Sequence, residues 1–193
     1  FRQGADIYDD KNVEYLYSFI DTSQLQLQVL EGPESVSFQD TPEILTEMTF
    51  PVSANQLMEY VSNYIYRKYW VKGVDKLEFN ENEVTRLGSK HTCIIDGKDL
   101  NFTTITKDAK ESEQVYGEVT KDAPFLDTLY QFFIVTAVSE NESHLRSEIY
   151  WEVHSPVKRF FANVFAKRIF KRNNAKALQL LLQFVKKEAV TSS

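Results

Sequence analysis

Residue types that cross-link a chain or break its regular structure are scarce in this sequence. One cysteine, six glycines and five prolines occur among 193 residues. A single cysteine cannot form an internal disulfide, which fits a reducing compartment, and we predict a cytoplasmic protein. The few glycines and prolines exclude collagen-like and low-complexity chains. No apolar run approaches the roughly 18 residues that a membrane helix needs, so we expect no stable membrane insertion.

Positive charge and the common catalytic motifs are also lacking. The formal net charge is −6, whereas a nucleic-acid-binding protein needs a basic field, so we predict no nucleic-acid partner. The sequence has no glycine-rich phosphate loop, no G-x-S-x-G elbow, no H-E-x-x-H and no C-x-x-C motif. We therefore assign no catalytic residue, no cofactor and no metal site from the sequence.

Aromatic residues, by contrast, are plentiful. Phe, Tyr and Trp make up 13% of the chain, and hydrophobic residues as a whole make up 42%. Charged residues contribute 26%, which is the balance of an ordinary globular protein. The aromatic side chains supply enough bulk to build a core or to line an apolar cavity.

Seven segments have the composition of β-strands. They are rich in Val, Ile, Thr, Phe and Tyr, and short polar turns separate most of them. The predicted strands are 43–50, 76–80, 88–96, 100–106, 114–120, 130–138 and 145–153. Turns this short join adjacent antiparallel strands, so the pattern predicts a meander of antiparallel strands.

Two helices are predicted around these strands. Ser53 can cap a helix that begins at the next residue, directly after the first strand. Ser155 and Pro156 begin a longer helix, in which apolar residues recur every four positions. The adjacent asparagines at 173–174 are expected to kink or loosen it. Strands with one long covering helix make an α+β domain.

The long helix is also strongly basic. Nine residues between positions 156 and 188 are Lys or Arg and one is acidic, so the remainder of the chain is strongly acidic. We interpret the basic residues as a solvated face that balances the acidic sheet, because the acidic remainder would repel a polyanionic partner.

The order of elements resembles the START-like superfamily, the polyketide cyclase/dehydrase and lipid-transport (SRPBCC) group with the helix-grip fold. The matching features are the strand that ends in Phe50-Pro51-Val52-Ser53-Ala54 and the aromatic stretch Tyr69-Trp70-Val71-Lys72-Gly73-Val74. The strand Leu87-Gly88-Ser89-Lys90-His91-Thr92-Cys93 is similar to the GxGTxHxC strand of one bacterial branch. That resemblance implies a bent antiparallel sheet of six to seven strands wrapped around the C-terminal helix.

The resemblance divides the chain into three parts. We predict that 42–188 form the helix-grip domain and that 189–193 form a disordered tail. Residues 1–41 are expected to be an N-terminal extension or the tail of a preceding domain. In the bacterial branch a nucleotide-cyclase-like signalling domain can precede this fold.

The function that the resemblance implies is non-catalytic binding of a small hydrophobic ligand, lipid-like or polyketide-like, between the sheet and the C-terminal helix. His91 and Cys93 alternate on one strand and share a face. We expect His91 and Tyr116 to contact the polar end of the ligand, with Cys93 beside them. Predicted apolar lining residues are Phe102, Phe132, Trp151, Phe161 and Phe165.

Two other functions stay open. A cyclase- or dehydratase-type enzyme would use His91 as acid or base. A regulatory interaction module would have no cavity, and its partner would be a second copy of the chain or an adjoining signalling domain. That alternative requires the helix residues to fill the sheet completely, namely Phe160, Phe161, Val164 and Phe165.

Overall fold

A computed structural model describes residues 41–71, 74–78, 87–95 and 97–191. The predicted N-terminal extension lies outside these residues, apart from residue 41. Seven strands form one antiparallel sheet in the order β1-β7-β6-β5-β4-β3-β2. The strands are β1 (Ile44–Phe50), β2 (Val74–Glu78), β3 (Lys90–Ile95), β4 (Lys98–Ile105), β5 (Glu113–Thr120), β6 (Thr128–Ser139) and β7 (Glu142–Glu152). Every predicted strand is confirmed, with several ends moved by two or three residues.

A short helical segment connects β1 to β2. It consists of α1 (Ala54–Ser62), a 3-10 turn (Tyr64–Tyr66) and α2 (Arg67–Trp70). The predicted cap is present, because Ser53 Oγ accepts a hydrogen bond of 3.3 Å from the backbone N–H of Gln56. The segment turns α2 toward the sheet and buries Arg67 and Trp70.

The long helix covers residues 156–191 without a break. It consists of α3 (Pro156–Phe161), a π-helical turn (Ala162–Ala166) and α4 (Lys167–Thr191). Ser155 caps its start, as predicted. Residues 189–191, placed in the predicted disordered tail, are helical because neither glycine nor proline ends α4; residues 192–193 lie outside the described part. No helix in the described ranges is long and apolar enough to cross a membrane.

The α-helix continues without interruption through 173–174, where a kink or loosening was expected, and an irregular turn lies earlier, at Ala162–Ala166. The Asn174 side chain is buried and bound to the sheet instead. Its Oδ1 accepts hydrogen bonds of 3.2 Å from both Gln131 and Ser147. Its Nδ2 donates to Thr46 Oγ1 at 3.1 Å. These contacts satisfy the amide locally, so it does not compete with the helix backbone.

The sheet packs one face, here called the inner face, against the long helix. Leu178, Leu181 and Val185 of α4 are fully buried in one cluster with Phe133 and Leu145 of the sheet. A second cluster joins the π-helical turn to β7 and to the loop before β6. The chain is therefore an α+β protein of the helix-grip type, as the resemblance implies.

The opposite, outer face of the sheet carries its own apolar cluster, which contains Ile105, Phe132, Ile134 and Tyr150. The register of β6 and β7 pairs Phe132 with Glu148 and Phe133 with Ser147. Residues paired across an antiparallel ladder point to the same face, so Phe132 and Phe133 lie on opposite faces. Thus Phe132, predicted to line a cavity beneath the helix, points away from the helix.

Candidate functional site

Two opposite charges are buried together on the inner face. Arg67 of α2 and Glu118 of β5 have side chains only 5% and 3% exposed. The guanidinium donates two hydrogen bonds to the carboxylate, at 2.7 and 2.6 Å. This two-point geometry fixes the orientation of both groups and compensates much of the cost of burying them.

Tyr116 completes this ion pair from the same strand. Its hydroxyl donates to Glu118 Oε1 at 2.5 Å and accepts from Arg67 at 3.3 Å. Residues 116 and 118 share a face because side chains alternate along a strand. One carboxylate therefore accepts three hydrogen bonds within the protein interior.

His91 lies beside this group, and its ring is fully buried. Its ring contacts two aromatic rings, with centroid distances of 4.1 Å to Tyr64 and 5.2 Å to Phe102. Its Nε2 is 3.4 Å from Glu118 Oε1, yet neither ring nitrogen has a hydrogen-bond partner among the described residues. We call Arg67, His91, Tyr116 and Glu118 the polar cluster.

Burial sets the protonation states in the polar cluster. It lowers the pKa of His91 to about 4, and the nearby Arg67 charge acts in the same direction. Burial would raise the pKa of Glu118, but Arg67 and the hydrogen bonds outweigh it and hold that pKa below its ordinary value. The pKa of Tyr116 is raised well above its ordinary value by burial and by Glu118. At neutral pH the cluster thus contains one ion pair, a neutral imidazole and a neutral phenol.

An open depression of about 420 Å³ lies next to His91. Such a volume is within the range of small-molecule sites. It is lined by Glu78, Lys90, His91, Thr92, Asn101, Phe102 and Thr103. The half-buried Phe102 ring stacks on the imidazole at an interplanar angle of 11°. Glu78, Lys90, Thr92, Asn101 and Thr103 point to the opposite face of the sheet from His91 and Phe102, so the depression opens on the outer face and the polar cluster lies on the other side of the sheet.

Four of the predicted site residues lie in or next to the polar cluster. His91 and Cys93 lie side by side on β3, and His91 is paired with Phe102 across the β3–β4 ladder. Tyr116 joins them through Glu118. Cys93 is buried, and burial raises the pKa of its thiol to about 11, so it acts as a small apolar neighbour.

The other four predicted residues lie elsewhere. Phe132 is on the outer face. Trp151 is half-buried on the inner face and packs against Phe170, 6.4 Å away between centroids. Phe161 and Phe165 are 39% and 49% exposed, so they do not line an enclosed space. The structure therefore divides the predicted lining into separate groups.

The sequence interpretation missed Arg67, Glu118 and Tyr64. Glu118 carried a usable signal, since it lies two residues from Tyr116 and must share its face. Arg67 carried none, because a lone arginine within an aromatic segment is ordinarily solvent-exposed. Among the described residues, no group of three or more His, Cys, Asp or Glu is placed to hold a metal ion.

Comparison with known proteins supports the fold. No protein-family model matches the sequence, and a search of curated proteins gives no match. Solved structures do match. The protein XoxI from Bacillus cereus aligns with a TM-score of 0.56 and 16% identity, over 74% of this chain and 94% of XoxI.

Two further matches are to enzymes. Norcoclaurine synthase from Thalictrum flavum, in complex with dopamine and hydroxybenzaldehyde, has a TM-score of 0.56 and 13% identity, over 75% of this chain and 86% of the synthase. The Zhui aromatase/cyclase from Streptomyces sp. R1128 has a TM-score of 0.58 and 11% identity, over 76% of this chain and 94% of the enzyme. The chain therefore has the fold of the START-like, polyketide cyclase superfamily. Fold at this identity does not specify chemistry.

Proposed function

We propose that this chain binds a small, uncharged hydrophobic ligand on the inner face of the sheet, with the polar end of the ligand at His91. One observation carries the proposal: a fully buried imidazole has two ring nitrogens without hydrogen-bond partners. Leaving a buried polar group unpaired costs about 1–3 kcal/mol, so such a group calls for an explanation. A ligand that pairs with the imidazole supplies one.

The surroundings of His91 define the chemistry of that ligand. Tyr64 and Phe102 place aromatic rings against the imidazole. A neutral imidazole offers one donor and one acceptor. The charges of Arg67 and Glu118 already neutralise each other, so an ionic ligand would gain no partner. These features favour a flat, neutral molecule with a hydroxyl or amine at one end.

Access to His91 on the inner face requires Phe102 to move. Phe102 is half-buried and its ring stacks on the imidazole. Rotation of that ring toward solvent would uncover the imidazole on the inner face, whereas the depression of about 420 Å³ opens on the outer face. Burial of the ligand's apolar surface would then supply most of the affinity, at about 25 cal/mol per Å² of buried area before the entropy cost of ordering the ligand and side chains is subtracted.

Binding without catalysis fits the polar cluster better than acid–base chemistry does. A general acid works best when its pKa lies near the working pH. Burial lowers the pKa of His91 to about 4, so at neutral pH His91 is a neutral imidazole, which is a poor general acid and, with that pKa, a weak general base. Glu118 is held by Arg67 and Tyr116. Similarity of the fold to aromatase/cyclases keeps cyclase-type catalysis as the second candidate.

A fluorescence titration with the neutral aromatic amine N-phenyl-1-naphthylamine tests the proposal. His91→Phe keeps the ring stacking and removes both nitrogens, and we expect it to weaken binding about tenfold through the lost hydrogen bond. His144→Phe is the matched control, because His144 lies on β7 with 38% of its side chain exposed. Equal affinity of all three proteins, or no binding by the wild type, would contradict the proposal. Turnover of a polyketide substrate that disappears in His91→Phe would establish the cyclase instead.

A further inference from the structure

The first half of the long helix places its small residues inward and its large apolar residues outward. Ala162 and Ala166 are buried against the sheet, at 0% and 2% exposure. Phe161 and Phe165, next to them in sequence, are 39% and 49% exposed. In the second half of the helix Leu178 is fully buried, as is usual for a helix that covers a core. The first half therefore presents an apolar surface to the outside.

This surface extends beyond the two phenylalanines. Its members are all more than a third exposed: Phe125, Val157, Phe160, Phe161, Val164, Phe165 and Ile169, which together we call the apolar patch. Rings of Phe125 and Phe161 stack with centroids 6.0 Å apart, and those of Phe161 and Phe165 at 5.9 Å. Scattered exposed apolar residues are normal, but a contiguous aromatic patch marks an interaction surface.

The backbone of Phe125 supports a functional role for the patch. Phe125 has a φ of +67°, in the left-handed region that bulky residues avoid. This strained conformation places an exposed ring against Phe161 rather than within a core. Strained backbone conformations cluster at functional sites, so this one is an observation in favour of a binding role for the patch.

Basic residues border the apolar patch, and no Asp or Glu occurs between positions 156 and 187. Lys158 and Lys167 form ion pairs with Asp127 and Glu43 of the neighbouring structure. Four further basic residues on the same helix are exposed and form no ion pair with any described residue: Arg168, Lys171, Arg172 and Lys176. The patch thus combines apolar side chains with unneutralised positive charge.

We propose that the apolar patch and these basic residues dock on the surface of an anionic lipid bilayer. Aromatic and aliphatic side chains can enter the boundary between headgroups and acyl chains, while Lys and Arg reach the lipid phosphates. A second copy of the same face would bring like charges together, which opposes self-association. The patch side chains carry no hydrogen-bonding groups for reading nucleic-acid bases, which favours lipid over nucleic acid. This proposal does not depend on the ligand site at His91.

Vesicle flotation tests the docking proposal. We expect wild-type protein to float with vesicles of phosphatidylcholine containing about 30 mol% phosphatidylglycerol, which have a negative surface potential, and not with phosphatidylcholine alone. Binding should weaken strongly as the screening length falls from about 10 Å at 0.1 M to about 3 Å at 1 M salt. No flotation with the anionic vesicles would overturn the proposal.

Paired variants test each component of the surface. Arg168→Gln/Lys171→Gln/Arg172→Gln should weaken binding roughly a hundredfold, since each basic residue near the surface contributes about fivefold. Lys90→Gln/Lys98→Gln/Lys110→Gln changes the net charge equally at exposed sites elsewhere and should bind nearly as the wild type does. Equal losses in the two triple variants would overturn the proposal.

The apolar component has its own control. Phe161→Ser/Phe165→Ser should abolish flotation, whereas Leu45→Ser/Val138→Ser, which alters two other exposed apolar residues, should not. Circular dichroism and thermal unfolding establish that each variant is folded. Duplex DNA binding that depends on Arg168 and Arg172, without vesicle binding, would overturn the proposal in favour of a nucleic acid.

Discussion

Arg67 and Glu118 behave as one unit at the scale of single residues. Both side chains are almost completely buried, and each is the partner of the other in two hydrogen bonds. Removing one charge leaves the other unpaired in a low-dielectric interior, which is costly. Removing both charges leaves no unpaired charge there. The effect of replacing either residue on the free energy of unfolding therefore depends on whether the other is present.

A double-mutant cycle measures this coupling. Arg67→Met alone should lower the free energy of unfolding by about 3–5 kcal/mol, and Glu118→Gln alone by a similar amount, since each leaves a buried charge unpaired. The double variant should lose less than the sum of the single losses, with a coupling of roughly 2–3 kcal/mol. Urea denaturation of the four proteins gives these values, and simple additivity would show that the two groups act independently.

His91 makes the stability of the fold depend on pH in a defined window. Its pKa is about 4 in the folded protein against 6.5 for an ordinary histidine. As pH falls below 6.5 the unfolded chain takes up a proton that folded His91 does not, so the folded state loses stability until about pH 4. Carboxylates with lowered pKa, such as Glu118, destabilise the fold only at lower pH, below their ordinary value of 4.5.

His91→Phe should remove this pH dependence. Between pH 7 and pH 5 the wild type should lose about 2 kcal/mol more of its free energy of unfolding than the variant does. At pH 7 the two proteins should differ by less than about 1.5 kcal/mol, because the rings are similar in volume. Unfolding by urea at the two pH values checks both statements, and identical pH profiles would mean that His91 titrates normally.

The residue scale also shows what the sequence could and could not predict at the site. Strand alternation correctly grouped His91 with Cys93, because period-two spacing depends only on the local backbone. The alternation of side chains did not indicate on which face of the sheet Phe132 lies, since both faces of β6 are apolar and buried. Its orientation depends on the register with β7, which the intervening turn sets. The Arg67–Glu118 pair joins residues 51 positions apart and carries no local signal.

At the scale of elements, Asn174 shows how the long helix is attached to the sheet. Its amide bonds to Gln131, Ser147 and Thr46, which belong to β6, β7 and β1. Three adjacent strands are therefore linked to one helical residue. This attachment fixes the rotation of α4, which buries Leu178 and leaves Lys176 exposed.

Adjacent asparagines offer a matched comparison. Asn174→Ala should lower the free energy of unfolding by about 1–3 kcal/mol, because it leaves buried polar partners unpaired. Asn173→Ala changes an exposed residue and should stay within about 0.5 kcal/mol of the wild type. Thermal or urea unfolding measures both, and similar losses in the two variants would rule out a special role for residue 174.

The elements themselves were largely predictable from the sequence. Alternating β-branched residues, short turns and serine caps are local signals, and they located the seven strands and the long helix. The same local periodicity misassigned Phe161 and Phe165, because an apolar stripe predicts that a helix packs and does not reveal which side packs. The alanines at 162 and 166, small enough for close approach to the sheet, decide the packed side.

At the scale of the whole molecule, the residues that the sequence interpretation assigned to one cavity lie in separate places. The polar cluster beside Phe102 contains a buried imidazole whose nitrogens have no hydrogen-bond partner among the described residues. The exposed phenylalanines of the long helix, predicted to line a cavity with the polar cluster, belong to the apolar patch instead. Their exposure also contradicts the alternative in which Phe160, Phe161, Val164 and Phe165 fill the sheet completely.

Native mass spectrometry, followed by organic extraction, tests the central claim that a hydrophobic ligand binds at His91. We predict that the wild-type chain and His144→Phe carry one small hydrophobic molecule, taken up during expression or on incubation with N-phenyl-1-naphthylamine. His91→Phe should carry much less. A wild-type chain with the mass of the bare polypeptide, both as purified and after that incubation, would contradict the claim.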